Sequence, residues 1–323
     1  MEKKGKRAVK EELYGIIETR NIEYVQYGVS LRFPTWYGST AYFQQTTRHL
    51  GLRDSDGRRS AGDGIDEKPK SSRNVPESSD FWLETLCVCE YCFKYTDDPN
   101  ELKKHSSQCR FRSKSPGRIQ YRTPEISIRK VSGSRHPLFC QCLCLFTKLF
   151  LDNKSMYFKV DHYDFYIVYS NQTHKPMAFF SKDLTSFQKH NLACILTLPP
   201  YQRKGLGTLL MDFSYKLSIH DDIMSGPEQP LSPFGLAGYL KYWSTSICLQ
   251  FLEGSLQGKS RVSLEDISKA TGMRLGDILL TLRNLNCLSE KNEISLQELR
   301  LWMKHHRQHT HAFIDDDYLI LDD

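Results

Sequence analysis

Hydrophobic residues along this chain follow a strand-like pattern first and a helical pattern later. Residues 11–50 place apolar and aromatic side chains in short runs that favour β-structure. After residue 116, apolar runs that read as buried strands alternate with amphipathic segments, and after residue 261 only helical spacing remains. This order predicts a mixed α/β protein with a β-rich beginning and a helical end.

The individual elements of the later regions can be predicted from the same pattern. We expect strands at Ser155–Val160, Phe165–Tyr169, Ala178–Ser181 and Leu192–Leu198. We expect helices at Leu138–Leu151, Gly207–Ser218, Ser232–Phe251, Ser263–Ala270 and Leu275–Leu285. A turn at Thr271–Met273 separates the last two, which is a helix-turn-helix pattern, and a strand around Ile294 could form its wing.

Composition divides the chain into segments. Residues 51–80 contain Gly, Ser, Asp, Arg, Lys and Pro with almost no large apolar side chain, so they cannot bury enough surface to order themselves. We expect a flexible insertion there. The other segments are a basic tail at 1–10, a β-rich part at 11–50, a Cys/His finger at 81–115, a mixed α/β core at 116–260, and a helix-turn-helix region with an acidic tail at 261–323.

Charge and cysteine content limit the classes of protein that fit. The ten cysteines are expected to be reduced thiols or metal ligands, because no apolar stretch follows the first residues to direct the chain to an oxidising compartment. The most apolar run, Leu138–Leu151, is shorter than the roughly 20 residues that cross a bilayer. The net charge of +6 permits contact with nucleic acid or chromatin without requiring it. The basic Glu2–Arg7 resembles a nuclear-import signal, or is a plain solvated tail.

Four residues have the spacing of zinc ligands. Cys89 and Cys92 are separated by two residues, and His105 and Cys109 lie four apart in a helix predicted to start near Pro99. The pattern C-x2-C-x12-H-x3-C predicts a C2HC zinc finger, the alternative being buried thiols beside an incidental histidine. One finger contacts only about three base pairs, so a structural role is favoured over DNA reading.

The remaining cysteines near this finger fit a metal site less well. Cys87 is one residue too early to serve as a ligand of the finger. Cys140, Cys142 and Cys144 alternate within a predicted helix, which spreads them around its axis. We therefore interpret this group as core packing.

The segment Asn191–Gly207 has the properties of a phosphate-binding loop. An apolar strand is stopped by Pro199–Pro200, and Gln202–Gly207 leads into an amphipathic helix. Free N–H groups at a helix N-terminus favour an anion, and the two glycines of the loop let the backbone approach it. The spacings of nucleotide-binding loops are absent, which leaves the Q/R-x-x-G-x-G/A loop that acetyltransferases use for the pyrophosphate of coenzyme A. An ordinary strand-to-helix turn also favours glycine.

The sequence around this loop resembles that of a known protein family. Residues 191–217, NLACILTLPPYQRKGLGTLLMDFSYKL, closely resemble the signature of MYST-family histone acetyltransferases, as do LFLDNKSMYF before them and SGPEQPLSPFGL after them. The stretch FCQCLCLFTKLFLDNKSMYFKVDHYDFYIVY is most similar to the yeast "something about silencing" branch. The resemblance implies a GNAT-like acetyltransferase core between an N-terminal β-rich and zinc-finger module and a C-terminal winged helix-turn-helix.

The resemblance also implies a reaction and its setting. An enzyme of this family would transfer the acetyl group of acetyl-CoA to a histone-tail lysine, by resemblance the sixteenth residue of histone four, in chromatin silencing and transcription regulation in the nucleus. It would carry a structural zinc ion. The implied partners are a histone tail or nucleosome and the accessory subunits of a small acetyltransferase complex, with neither a membrane nor specific direct DNA binding.

Residue roles carry over from the family position by position. Glu228 matches the catalytic glutamate, and a general base is needed because a lysine ammonium cannot attack a thioester. Cys194 matches the active-site cysteine, which either accepts the acetyl group or only shapes the pocket. Lys154 matches a lysine that family members acetylate on themselves, although an ordinary surface lysine is the alternative. The implied cofactor contacts are Ile195, Leu196, Thr197, Arg203, Lys204, Gly205, Leu206, Gly207, Thr208, Ser232 and Lys241.

Two other classes of protein share some of these features. A non-catalytic nucleic-acid-binding regulator could use the finger and the helix-turn-helix, but Leu275–Leu285 offers only Arg283, with Arg274 just before it, and carries Asp277. An acetyltransferase that acts on small amines fits the loop but leaves the finger unexplained.

Overall fold

The computed structural model describes residues 16–17, 19–44, 50–51, 81–151, 158–291, 293–306 and 313–321. The basic tail at 1–10, nearly all of the insertion expected at 51–80, and Lys154 lie outside these residues. The chain forms two compact units. The first comprises Met1–Gly117, Val131–Asp161 and Gln172–Pro176, and the second comprises Arg118–Lys130, His162–Asn171 and Met177–Asp323.

The described residues contain strands and helices in the order that the hydrophobic pattern predicts. The strands are β1 (Ile16–Ile17), β2 (Ile22–Tyr27), β3 (Leu31–Pro34), β4 (Gly38–Ser39), β5 (Leu83–Val88), β6 (Tyr95–Thr96), β7 (Arg118–Arg122), β8 (Ile126–Ser132), β9 (Tyr163–Ser170), β10 (Pro176–Asp183) and β11 (Cys194–Thr197). The α-helices are α1 (Pro99–Gln108), α2 (Pro137–Thr147), α3 (Leu206–His220), α4 (Pro233–Leu252), α5 (Leu264–Thr271), α6 (Leu275–Asn284) and α7 (Leu296–His306).

The first unit is built on a four-stranded sheet of order β3-β2-β5-β6, in which β2 pairs with β5 in parallel. Aromatic side chains join this sheet to α2. The ring of Phe146 lies 5.8 Å from that of Tyr27 and 5.3 Å from that of Phe93, measured between centroids. Rings at these separations contribute attraction beyond their buried area, so this aromatic cluster is the core of the unit.

The second unit contains a five-stranded sheet of order β11-β10-β9-β8-β7. Side chains from the middle of this sheet pack against one face of α3. Tyr166 and Phe180 stack with their ring centroids 4.7 Å apart, and the ring of Phe213 lies 5.8 Å from that of Tyr166. Helix α3 is thus fixed on the sheet whose edge strand, β11, precedes it in the chain.

The helices after residue 233 form a second core in the same unit. Helix α4 packs against α3, α5, α6 and α7, with Trp243 and Ile247 completely buried among them. The indole N–H of Trp243 donates to the hydroxyl of Tyr215 on α3 at 2.8 Å. Ile195 borders both this core and the sheet core, so β11 lies where the two meet.

Most of the predicted elements are confirmed, with shifts of a few residues at their ends. Helix α2 was expected over Leu138–Leu151 but ends at Thr147. The physical reason is tertiary: the carbonyl of Leu149 accepts the backbone N–H groups of Trp36 at 2.8 Å and Tyr37 at 3.1 Å, so the chain turns toward these donors.

Half of the strand expected at Ser155–Val160 falls outside the described residues, and its described part, 158–160, is not a strand. The carbonyl of Phe158 accepts the side-chain amide of Gln141 at 2.9 Å, which takes the place of a sheet partner. Strands β6, β7 and β8 and helix α7 were not expected. Strand β8 lacks a clear apolar alternation because Arg129 and Lys130 interrupt it, and Lys130 pairs with Asp164 at 2.9 Å. Around Ile294 the structure has a single antiparallel bridge to Leu288.

Among the described residues, no helix combines the length and the hydropathy that a membrane crossing requires.

Candidate active site

Strand β11 ends in a tight turn that folds back on the strand. Its register with β10 places Cys194 opposite Ser181, with the side chain of Cys194 half-buried. The chain then makes one 3₁₀ turn at Pro199–Tyr201. The side-chain amide of Gln202 donates to the carbonyl of Thr197 at 3.0 Å, which closes the turn against the end of the strand.

Helix α3 begins directly after this turn with its N-terminus uncapped by any side chain. Gly205 is the N-cap residue and has φ +80°, a conformation that strains any residue with a Cβ atom. The first N–H groups of a helix have no intrahelical partner, and the helix dipole makes this end positive. A Cβ atom on Gly207 would lie 3.7 Å from the hydroxyl oxygen of Thr197, so strand and helix start approach closely here. This arrangement suits a bound phosphate.

Cationic side chains gather at the same place. Arg203 and Lys204 are exposed in the turn, and the ammonium of Lys204 lies 5.8 Å from the ring centroid of Tyr201. Partial burial lowers the pKa of Lys241 on α4, and the positive charge of Arg203 lowers it further. Arg203, Lys204 and Lys241 thus add positive charge near the start of α3, which favours an anion there.

The segment Ser225–Glu228 is attached to the chain just before β11. Leu192 and Pro227 form a parallel bridge, the backbone N–H of Asn191 donates to the carbonyl of Gly226 at 3.1 Å, and that of Glu228 donates to the carbonyl of Leu192 at 2.8 Å. In this register Glu228 lies beside the residues that lead into Cys194. The side chain of Glu228 is exposed, so it is accessible to a substrate.

All the residues expected to act in catalysis or cofactor binding lie in the second unit. Ser232 is the N-cap of α4, and its hydroxyl accepts the N–H of Gly235 at 3.1 Å. Lys241 is exposed on the same helix. The side chains of Leu196 and Leu206 are buried in the core, so only their backbone groups can reach a ligand. The strand, the turn, the start of α3 and the Glu228 segment thus form one candidate site.

Two residues that support this site were not predicted as part of it. Arg274, which the sequence offers as a nucleic-acid contact, donates from Nη2 to the carbonyl of Pro227 at 2.8 Å and from Nε to the Asp277 carboxylate at 3.0 Å. Arg274 and Pro227 lie 47 positions apart in the chain. No local pattern of residues could have indicated such a contact.

The first unit brings the four expected metal ligands together. The ligand atoms of Cys89, Cys92, His105 and Cys109 all lie within 4.8 Å of one another, and the Cys92 sulfur is 3.1 Å from Nε2 of His105. Hydrogen bonds among these thiols lower the pKa of Cys109 and raise that of Cys92, so the thiols are close enough to share protons. Zinc ligands of about 2.3 Å bond length form a tetrahedron with edges of about 3.8 Å, so this quartet fits such an ion.

The local structure of the finger differs from expectation in one respect. Helix α1 ends at Gln108, so His105 occupies its last turn while Cys109 follows as an extended C-cap residue. The two ligands are therefore presented by a helix end and not by one helical face. Asp98 caps the other end of α1 by accepting the N–H of Asn100 at 2.7 Å.

The finger braces the core of its own unit through Phe93, which lies in the loop between the ligands. Phe93 has φ +63° and is 1% exposed, with its ring centroid 5.9 Å from that of Phe139 on α2. None of the ten cysteines is in a disulfide. Cys87 and the α2 group Cys140, Cys142 and Cys144 are buried, and burial raises the pKa of the Cys142 thiol to about 11. These thiols pack in the core.

A helix start without a side-chain cap beside a fixed loop carboxylate suits an acyltransferase, which must hold an anionic cofactor and remove a proton. The comparison with protein families agrees, since residues 114–319 match the MOZ/SAS family. The chain belongs to this family, which confirms the resemblance inferred from the sequence, and is an enzyme of the acyltransferase class. Its co-substrate is accordingly acetyl-CoA.

Several individual proteins to which the chain is similar are named histone acetyltransferases. The chain is 54% identical over 321 residues, 99% of its length and 91% of the relative's, to histone acetyltransferase SAS2 of Saccharomyces cerevisiae. It is 39% identical over 206 residues to histone acetyltransferase MOF of Drosophila melanogaster, covering 63% of this chain and 24% of that protein. It is 40% identical over 205 residues to histone acetyltransferase ESA1 of Gibberella zeae, covering 62% of this chain and 40% of that protein.

Metal binding by Cys89, Cys92, His105 and Cys109 can be tested by measuring the metal content of variants. We expect Cys89→Ser to lose one equivalent of bound metal and to unfold at a lower temperature, because the quartet ties α1 to the Phe93 loop. Cys87→Ser is the matched control and should keep its metal, since Cys87 is outside the quartet. Metal analysis by mass spectrometry with thermal unfolding measures both. Equal metal content in Cys89→Ser and the unmodified chain would contradict this assignment.

The expected phosphate contacts at the start of α3 can be tested by measuring the affinity for acetyl-CoA. We expect Arg203→Ala to raise the Kd for acetyl-CoA about tenfold, because a charge-assisted contact to a phosphate contributes about 1.5 kcal/mol. Arg283→Ala, an exposed arginine at the end of α6, is the control and should bind as the unmodified chain does. Titration calorimetry gives both constants. An unchanged Kd in Arg203→Ala would rule out its contact with the phosphates.

Proposed function

We propose that this chain transfers the acetyl group of acetyl-CoA to a lysine of a histone tail, with Glu228 as the general base. The observation that carries the proposal is the position of Glu228. Its backbone is bonded to Leu192 at 2.8 Å, two residues before Cys194, while its carboxylate is exposed. A base held beside the cofactor strand and open to solvent can meet a lysine that arrives from outside.

The chemistry requires such a base. A lysine side chain has a pKa of about 10.4 and is an ammonium at neutral pH. Glu228 accepts a proton from this ammonium, and the neutral amine then forms a bond to the acetyl carbon while the bond from that carbon to the coenzyme A sulfur breaks. The nitrogen loses its second proton to the departing sulfur, so the products are acetyl-lysine, coenzyme A as the free thiol, and one proton on Glu228.

The cofactor is proposed to lie along β11 and the start of α3. Ile195, Leu196 and Thr197 would line the acetyl and pantetheine part, with Leu196 acting through its backbone. Arg203, Lys204, Gly205, Leu206, Gly207 and Thr208 would hold the pyrophosphate, and Ser232 and Lys241 would contact further cofactor atoms. The uncapped N-terminus at Gly205 and the neighbouring cations support this placement.

Cys194 has two conceivable roles, and we favour the simpler one. In a covalent route its thiolate would take the acetyl group first and pass it to lysine in a second step. In direct transfer the cysteine only shapes the pocket. Direct transfer needs no cysteine thiolate, because Glu228 takes the proton of the ammonium and the departing sulfur takes the second proton of the amine.

The proposed setting rests on the likeness to the relatives. Three of them are named histone acetyltransferases, and SAS2 matches over nearly the whole chain. By resemblance we infer the sixteenth residue of histone four as the target, a role in chromatin silencing, a nuclear location and accessory subunits. Autoacetylation of Lys154 is inferred in the same way.

The remaining structural inferences concern the other modules. We infer that zinc occupies the Cys89 quartet, that the sheet and α3 form a GNAT-like core, and that α5 and α6 with the Leu288–Ile294 bridge form a winged helix-turn-helix. This last module is proposed to be a scaffold. Arg274, which a nucleic-acid reader would turn toward DNA, is engaged with Pro227 and Asp277. The rival reading as a non-catalytic DNA-binding regulator is therefore disfavoured.

The base is tested by Glu228→Gln. We expect kcat to fall by about 100-fold or more, within the typical contribution of general base catalysis, because the amide has nearly the same shape but cannot accept the proton. The Kd for acetyl-CoA should stay within about twofold. Labelled acetyl-CoA with nucleosomes as acceptor, followed by mapping of the modified lysine, measures the rate and the target together.

Glu290→Gln is the control for this change, since Glu290 is an exposed glutamate of the same unit and lies outside the site. It should retain full activity. Unchanged transfer by Glu228→Gln would refute the proposed base, transfer to small polyamines alone would refute the histone substrate, and no transfer by the unmodified chain would refute the enzyme.

A further inference from the structure

The turn between α5 and α6 lies against the segment that carries Glu228. Ser225 and Met273 form a parallel bridge, and the backbone N–H of Ser225 donates to the carbonyl of Gly272 at 2.9 Å. The hydroxyl of Ser225 donates to the carbonyl of Lys189 at 2.6 Å. The segment is therefore held on both sides, by the chain before β11 and by the helix-turn-helix.

At Pro227 the segment is held by a side chain in addition to hydrogen bonds between backbone groups. Proline has no N–H group, and its carbonyl is bonded to a side chain, the Nη2 group of Arg274 at 2.8 Å. This carbonyl belongs to the peptide unit that also carries the N–H of Glu228. Arg274 and Leu192 thus fix the two ends of one peptide plane, which sets the direction in which the Glu228 side chain leaves the backbone.

Asp277 fixes Arg274 in turn. The guanidinium Nε donates to Asp277 Oδ2 at 3.0 Å, and the carboxylate side chain is only 5% exposed while that of Arg274 is 27% exposed. A planar guanidinium with two fixed acceptors has little rotational freedom. Burial raises the pKa of Asp277, and the charge of Arg274 counters that effect.

Gly226 shows how closely this pair approaches the segment. A Cβ atom at Gly226 would lie 2.5 Å from Arg274 Nη2 and 2.5 Å from Asp277 Oδ2, closer than such atoms can come. Gly226 is needed for this contact, since any side chain would displace the guanidinium from Pro227.

We propose that Arg274, held by Asp277, is a positioning residue that orients Glu228 for proton transfer. The inference rests on the proposed function, in which Glu228 is the base. It gives the helices around Arg274 a role in the reaction that acts through Glu228. A displacement of about 1 Å at a catalytic group can cost about 100-fold in rate, which is the scale on which such positioning operates.

The test is a double-mutant cycle with acetyl-CoA and a histone-four tail peptide, made on the full chain. Arg274→Ala should lower kcat by about 10- to 100-fold and leave the KM and Kd for acetyl-CoA within about twofold, because the cofactor cradle is elsewhere. In the Glu228→Gln background the same change should have almost no further effect on kcat. Arg283→Ala on the same helix is the control and should match the unmodified chain.

Arg274→Lys separates positioning from folding. Lysine can still donate to the Pro227 carbonyl, without the planar two-point fit, and should recover part of the kcat that Arg274→Ala loses. Circular dichroism with thermal unfolding should show that this variant is folded even if Arg274→Ala is not. Wild-type kcat in Arg274→Ala, or losses that simply multiply in the double variant, would refute the positioning role alone. Full activity in Glu228→Gln would refute the base, and the inference with it.

Discussion

The hydrogen bond from the backbone N–H of Glu228 to the carbonyl of Leu192 is the constraint on which the rest of the site depends. At 2.8 Å it places the carboxylate beside the strand that the cofactor is proposed to follow, although Leu192 and Glu228 are far apart in sequence. A loop carboxylate without such a bond would sample many positions and would seldom be within reach of a lysine ammonium. The residue that precedes β11 by two positions, Leu192, and the N-cap residue of α6, Arg274, both bond to this peptide.

The two ends of the second unit contribute in different ways. Helix α3 offers its N-terminus to an anion because Gly205 ends the turn in a left-handed conformation, and the sheet fixes that helix through Phe213. Arg274, which lies between helices α5 and α6, contacts the loop from the opposite side and donates to the carbonyl of Pro227. In the first unit Phe93, which follows Cys92, enters an aromatic core.

Features that depend on neighbouring residues in the chain were predicted correctly from the sequence. The strand at Cys194, the helix after Gly205 and the spacing of the metal ligands are all visible in consecutive residues, and the structure has them close to where they were expected. Contacts between distant segments were not visible. The early end of α2 depends on the backbone N–H groups of Trp36 and Tyr37. The hydrogen bond to the carbonyl of Pro227 comes from Arg274, which lies 47 positions away in the chain. The role of Glu228 came from family resemblance, since nothing in its composition distinguishes it from a solvated glutamate.

Native-state hydrogen exchange of the Glu228 and Ser225 amides tests the central claim most directly. If the segment is held as described, both amides are protected to a degree comparable with the core of α6, and Arg274→Ala lowers the protection of Glu228 while the amides of β11 are unaffected. Exchange of the Glu228 amide in the unmodified chain at the rate of an unstructured peptide, with β11 still protected, would contradict the account.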